Sequence, residues 1–333
     1  MSLGAAELFD SLYQLASSST EDDLFGTSAP LAREAFRRGL AGNAMPTVWF
    51  EIPLCGPPRF DLHVAHSNTD LHSGAPFAPD AANGYGALLN WYASEPREGG
   101  GLAFAFDVGD GRIDDPAVHA NVNAASDFDA EGFFTHVGRP DAATLYDAFA
   151  GKLSQGWRVW YFGVHPGRPS VPVRVDCFVN ESLQQAYAAE PAKLEEDLHG
   201  AGVADVGAQT LRIGAEIAAS PLDLELQFDV LSGGEPGPTV SLSARFPIVS
   251  ANNARPLWAP GGSAAALMEF ALDLGVADGR WQRIEDALFT KIVRDGNDML
   301  ALYCIPVFAK FRLRAGAPLD AKIYLQASAQ TLN

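Results

Sequence analysis

The residues of this chain that could do chemistry are charged groups two positions apart, alternating with aliphatic or aromatic ones. Asp223, Glu225, Gln227 and Asp229 alternate with Leu222, Leu224, Leu226, Phe228 and Val230, and Ser241, Ser243 and Arg245 with Val240, Leu242, Ala244 and Phe246. Lys310, Arg312 and Arg314 alternate with Ala309, Phe311 and Leu313, while Lys322, Tyr324 and Gln326 alternate with Ala321, Ile323, Leu325 and Ala327. Near the start, Trp49 and Glu51 alternate with Val48, Phe50 and Ile52. A face carrying cations, carboxylates and a phenol can hold a charged ligand, pass a proton, or merely neutralise itself by internal pairing. Lys310, Lys322 and Tyr324 fall mid-strand, which favours a ligand-facing role, whereas Arg314 beside the Ala315-Gly316 turn reads as a solvated strand end and Arg312 could be one too.

Period-two alternation is the mark of a β-strand with two unlike faces. It predicts five hairpins, pairing 47–53 with 59–65, 102–108 with 118–124, 157–164 with 173–179, 222–230 with 239–246, and 307–314 with 320–327. A register slip of one residue would bury every charge on these strands, so the assignment of faces is strongly constrained. Between hairpins the period lengthens to about 3.6. Leu8, Leu12 and Leu15 mark an opening helix, and Asp141 after Pro140 a helix carrying Leu145, Phe149 and Leu153. Leu194 with Leu198, and Leu211 with Ile213 and Ile217, mark two more, and Leu267, Phe270, Leu274, Trp281, Ile284, Leu288 and Ile292 predict one long helical stretch. Gly84 and Gly86 weaken a helix through Leu88, Leu89, Trp91 and Tyr92.

Hairpins joined by short turns imply antiparallel neighbours, and ten strands with helices on one side solve their edge problem by closing. The expected fold is α+β: a ten-stranded antiparallel barrel inside an outer ring of α-helices, one domain over residues 1–333, with 1–45 as a helical segment packed on the barrel. The polar parity would then line a lumen wide enough for a small ligand.

This organisation resembles the αββα-barrel (ABBA) aromatic prenyltransferases, the indole-type members most. Arg59-Phe60-Asp61-Leu62-His63 looks like their first cage strand, with Arg59 in the place of a cage arginine. Leu102 to Asp107 followed by Val118 to Val122 looks like the second hairpin, with His119 and Asn121 where the family usually has Lys and Tyr. Arg174-Val175-Asp176-Cys177-Phe178 is similar to an Arg-x-Lys-x-Tyr strand, with Asp176 and Phe178 substituted, and Lys322-Ile323-Tyr324 resembles the closing strand. The resemblance implies transfer of a prenyl group from an allylic diphosphate to an aromatic small molecule. Arg59, His119, Arg174, Arg245, Lys310, Arg312, Lys322 and Tyr324 would bind the diphosphate, and Trp49, Asn121, Asp176, Phe178 and Gln227 would shape the cavity. Glu51 would be the base, its alternative being an ion pair with Arg59. No cofactor is required on this reading, although Mg2+ could bridge the diphosphate to Asp61, Asp176, Asp223, Glu225 and Asp229, which otherwise repel it. His119, Asn121 and Asp176 favour instead a non-catalytic barrel that carries a polar or zwitterionic molecule, whereas Arg59, Arg174, Lys322 and Tyr324 favour the transferase; a barrel enzyme acting on a different phosphorylated or charged substrate is the third alternative.

Other patterns point nowhere sharper. His63 and His66 are an odd number apart and face opposite ways, so with Asp70 and His72 they make a poor metal site. Asp107, Asp110, Asp114 and Asp115 around Gly109 and Gly111 lack calcium-loop spacing and read as a solvated turn. Gly99 to Gly101 and the segment Gly233 to Pro238 read as turns, since no Lys-Ser/Thr follows. No Gly-x-Ser-x-Gly elbow occurs. Net charge −18 argues against nucleic acid and anionic membrane surfaces as partners. Three cysteines, Cys55, Cys177 and Cys304, leave an odd one in any disulfide scheme; with no spanning stretch and no basic start to Met1–Tyr13, the expectation is a cytoplasmic protein.

Overall fold

The computed structural model describes residues 4–18, 24–26, 29–42, 45–72, 76–94, 100–109, 111–122, 128–166, 173–247 and 250–332. Gly99, Asp110 and residues 123 and 124 of the expected second hairpin lie outside the described residues. The strands, in chain order, are β1 Thr47–Pro53, β2 Asp61–Ser67, β3 Gly101–Phe106, β4 Val108–Gly109, β5 Arg112–Ile113, β6 Ala117–Asn121 and β7 Trp157–Val164. They continue with β8 Val173–Val179, β9 Asp223–Val230, β10 Pro236–Arg245, β11 Phe289–Asp295, β12 Asp298–Arg314 and β13 Ala317–Leu332.

Ten of these form one antiparallel barrel running β1-β2-β3-β6-β7-β8-β9-β10-β12-β13 and back to β1. Two pairings close it: β10 on β12, from Thr239 opposite Arg314 to Arg245 opposite Phe308, and β13 on β1, with Tyr324 opposite Glu51. Closure satisfies the backbone groups that an open sheet would leave exposed. β12 and β13 run on past the barrel, where β11 pairs with the first half of β12; β4 and β5 form a separate two-residue hairpin.

The aliphatic parity faces outward into a continuous core beneath the helices. Val48, Phe50, Leu62, Leu224, Leu226, Phe228, Leu242, Phe311, Ile323 and Leu325 are all fully buried there. The covering helices include Ala5–Ser17, Ala29–Gly39, Asp141–Ala150, Glu181–Ala189, Ala192–Gly200, Ala208–Ala219, Ala251–Trp258 and Ser263–Asp273. Their apolar stripes are those of the sequence pattern, as with Leu8 and Leu12, Leu194 and Leu198, and Ile213 and Ile217. This closed ten-stranded α+β barrel is compatible with the αββα architecture.

Three expectations need correction. The stretch from Leu267 to Ile292 is not one helix: an α-helix ends at Asp273, a 3-10 helix spans Gly279–Ala287, and Ile292 lies in β11, 59% exposed. Gly275 at φ +71 and Asp278, whose side chain caps the 3-10 turn, break the longer period. The helix after Pro140 stops at Ala150, short of Leu153. β2 begins at Asp61 instead of residue 59: its ladder with β1 ends at Glu51 opposite Asp61, short of Pro53, which has no N–H to give, and Arg59 is exposed.

Candidate functional site

The polar parity encloses a cavity of about 680 Å3. Of the residues the sequence singled out, Trp49, Glu51, His119, Asn121, Arg174, Gln227, Lys310, Arg312, Lys322 and Tyr324 line it. Arg59 does not: it lies exposed in the turn ahead of β2, so it neither joins the other cations nor pairs with Glu51. Arg245 and Phe178 lie on the polar parity but do not line the cavity. The Arg245 guanidinium lies 4.3 Å from the Trp160 ring centre and 5.3 Å from that of Phe178, and 3.6 Å from Glu225. Asp176 does not line the cavity either: it is fully buried and accepts from the Gln227 amide at 3.0 Å.

The cavity has two unlike walls. One, from β8 through β13, carries Arg174, Asp229, Gln227, Ser241, Thr239, Lys310, Arg312, Lys322 and Tyr324; the other, from β2 to β7, carries His63, Ala65, Ala103, Ala105, Ala117, His119 and Tyr161. Most cations on the first wall already have a carboxylate. Arg174 Nε meets Asp229 Oδ1 at 2.7 Å, Arg312 Nε meets Asp320 Oδ2 at 3.6 Å, and Lys322 pairs with Glu51 and lies 4.0 Å from Asp61. Lys310 differs. Among the described residues it has no carboxylate within 4.0 Å, and its one hydrogen bond goes to Gln227 Oε1 at 3.3 Å.

Burial tests each of these charges. It would raise Glu51, yet Lys322 and then His63, whose Nε2 is 3.2 Å from Oε2, hold that carboxyl well below the usual range. Burial and the neighbouring Glu51 push Asp61 up to about 6 against the pull of Lys322. Burial also lifts Asp176 to about 6 and, with Asp176 beside it, Glu225 to about 8. It lowers Lys310 to about 8. Burial would lower Arg174 too, but Asp229 more than offsets this and its pKa rises. His119, expected as a cation, is held well below the histidine range by burial and then by His63 and Arg174, so it faces the lumen as a neutral ring. Its Nδ1 is buried without a partner.

Aromatic surfaces tie the walls together. The Tyr324 and Phe308 rings stack at 4.0 Å, Phe308 meets Trp49 edge-on at 6.0 Å, and Trp49 stacks on His63 at 6.2 Å. His63 is parallel to His119 at 6.3 Å, and His119 meets Tyr161 edge-on at 5.7 Å. Gly163 makes room for this: a Cβ there would come within 2.4 Å of His119 Nδ1. His66, on the opposite parity, turns outward and bonds the Gly39 carbonyl at 2.8 Å. Among the described residues, no three His, Cys, Asp or Glu side chains group to hold a metal.

No family model matches this chain, and no curated protein matches it. Its site therefore has to be read from its own geometry. Tyr161 and Trp160 were missed in the sequence because β7 carries a register shift between Val159 and Tyr161, so neighbouring residues both turn inward. Phe308 sits just after a similar shift in β12. Asp107, Asp114 and Asp115, read as a solvated turn, line the cavity together with Arg112, which pairs with Asp114 at 3.3 Å. Arg314 also lines it.

Proposed function

We propose that the barrel transfers a prenyl group from an allylic diphosphate to a flat aromatic acceptor. The observation supporting this is the division of the cavity: one wall offers Arg174, Arg312 and Lys322 with the hydroxyls of Thr239 and Ser241, and the facing wall offers alanines with the rings of His63, His119 and Tyr161. The first suits a polyanion in a partly desolvated space. The second suits an aromatic body laid against Ala103, Ala105, His63 and His119.

On this reading the C1–O bond of the donor breaks, the diphosphate keeps the electron pair, and the cationic wall stabilises the charge it gains. Trp49 and Tyr324, which line the cavity, supply aromatic rings for the allylic cation, with Phe308 stacked behind Tyr324. The acceptor carbon forms the new bond and loses its proton. Glu51 is already engaged by Lys322, so the proton would pass to it through His63, which is hydrogen-bonded to Glu51 and lines the cavity. Arg174 and Lys322 must share Asp229 and Glu51 with the incoming phosphates. Magnesium carried by the diphosphate would ease that competition.

The same ion pairs favour a second reading, a binding barrel for a zwitterion without turnover. Calorimetry and thermal shift with dimethylallyl and geranyl diphosphates, with and without magnesium, separate the two. Transfer predicts saturable binding, lost by 100-fold or more in an Arg174→Ala, Lys322→Ala double variant, and release of inorganic diphosphate when an indole or phenol is added. Absence of binding at any chain length overturns the transferase reading.

A further inference from the structure

We propose that Lys310 is a carbonyl-reactive amine, which condenses with a small aldehyde or ketone in the cavity to form an imine. This role does not depend on prenyl transfer. It follows from what surrounds the amine.

Lys310 is 4% exposed, and it is among the residues lining the cavity, so the cavity is its route to a ligand. Its cross-strand partner in register is Lys322, another cation on the same face, and like charges in that position disfavour each other. Arg174, Arg312 and Lys322 each have a carboxylate within 4.0 Å, while Lys310 has an amide oxygen alone. The orientation of that amide is fixed: Gln227 Nε2 donates to Tyr161 Oη at 3.1 Å and to Asp176 Oδ2 at 3.0 Å, which leaves Oε1 for the lysine. One acceptor satisfies one N–H of a neutral amine and leaves its lone pair free, but it meets only one of the three donors of an ammonium.

Other groups pull both ways. Asp176 and Glu51 act through space to favour the ammonium, and the ring centres of Tyr324 at 4.8 Å and Phe308 at 5.3 Å do the same. Burial, Arg174 and Lys322 oppose them, and burial is the largest effect, placing the amine at about 8. At pH 7 about a tenth of such amines carry a free lone pair, against roughly 0.03% for an ordinary lysine. Desolvation beside a second cation is a recognised way to make a lysine nucleophilic.

The step balances without a redox partner. The Nζ lone pair forms the C–N bond, and the carbonyl π electrons move to oxygen, which takes a proton. The resulting carbinolamine loses that oxygen as water while nitrogen gives up its proton, leaving C=N. Tyr161 also lines the cavity, but its hydroxyl is engaged by Gln227 and Asp176 and keeps its proton well past neutral pH, chiefly through burial; the two protons that leave nitrogen are those the departing water carries. Arg174, Arg312 and Lys322 surround the site, so the fitting ligand is a small carbonyl compound that also carries an anionic group, such as a 2-oxo acid.

The probe is glyoxylate with sodium cyanoborohydride at pH 7, followed by peptide mapping of the full chain. The chain has five lysines, and Lys152, Lys193 and Lys291 lie outside the lumen as internal references. The expected result is a reduced adduct on Lys310 at least tenfold above those on Lys193 and Lys291, with the preference abolished when the same chain is labelled in urea. Equal labelling of all lysines, or an adduct on Lys322 in place of Lys310, overturns the proposal. Lys310→Arg should remove the selective adduct, and if that variant fails to fold, the native-against-urea comparison decides alone. Labelling of Lys310 in a protein that binds no prenyl diphosphate would end the transferase reading and leave this one standing. Diphosphate turnover with an inert Lys310 would do the reverse.

Discussion

Single side chains inside the lumen carry large and opposed electrostatic costs. Glu225 is 2% exposed and, through burial and then the nearby Asp176, is pushed up to about 8 from an ordinary 4.5, despite Arg245. The folded chain therefore binds more protons at this site than the unfolded one between those values. Its contribution to stability is full below about 4.5 and is lost as pH rises through about 8. Asp61 and Asp176, raised to about 6, act in the same sense over a lower window. The depressed His66 and His119 act in the opposite sense below about 6.5, so the clearest fall in thermal midpoint should come between that pH and pH 8, and Glu225→Gln should flatten it; an unchanged slope in the variant would remove Glu225 as its cause. The carboxylates themselves were visible in the sequence on the polar parity of their strands, Asp61 in β2, Asp176 in β8 and Glu225 in β9. Their burial was not, because it depends on neighbouring strands: Asp176 lies against Gln227 of β9 and Tyr161 of β7, and Glu225 against Arg245 of β10.

At the scale of the strand, alternation decides what faces the ligand, and irregularities decide the shape of what it meets. The parity of β9, β10, β12 and β13 was legible because a slip of one residue would exchange Leu224 and Leu226 for Glu225 and Gln227 in the helix-facing core. The shift in β7 was not legible, since an extra residue leaves no mark in a run as aromatic as Trp157 to Phe162. The site depends on such local fits. Gly163→Ala would set a Cβ 2.4 Å from both His119 Nδ1 and the Val118 carbonyl oxygen, and the backbone atom cannot step aside. We expect a loss of about 1–3 kcal/mol in urea unfolding, typical of overpacking, together with displacement of the His119 ring. Unchanged stability would mean that β6 and β7 can separate without cost.

For the whole molecule, closure without covalent staples is the organising fact. All three cysteines are free; Cys55 is partly exposed, while Cys177 and Cys304 are buried. A thiol reagent should titrate one cysteine in the native chain and three in denaturant, and reductant should leave the thermal midpoint unchanged. Immediate reaction of two or three thiols would indicate that the barrel opens readily. Among the described residues no helix is long and apolar enough to cross a membrane.

The sequence by itself determined which residues share a face, because side-chain direction along a strand is fixed by backbone geometry and the penalty for burying charge is large. It also determined that ten strands would come as antiparallel pairs between helices. Tertiary structure alone decided which of those inward charges meet. Strand start, bulge position and the closing register sent Arg59 into solvent, gave Lys322 to Glu51 and Arg174 to Asp229, and left Lys310 with an amide oxygen. Those distances depend on contacts between strands far apart in the chain, and no local pattern of residues encodes them.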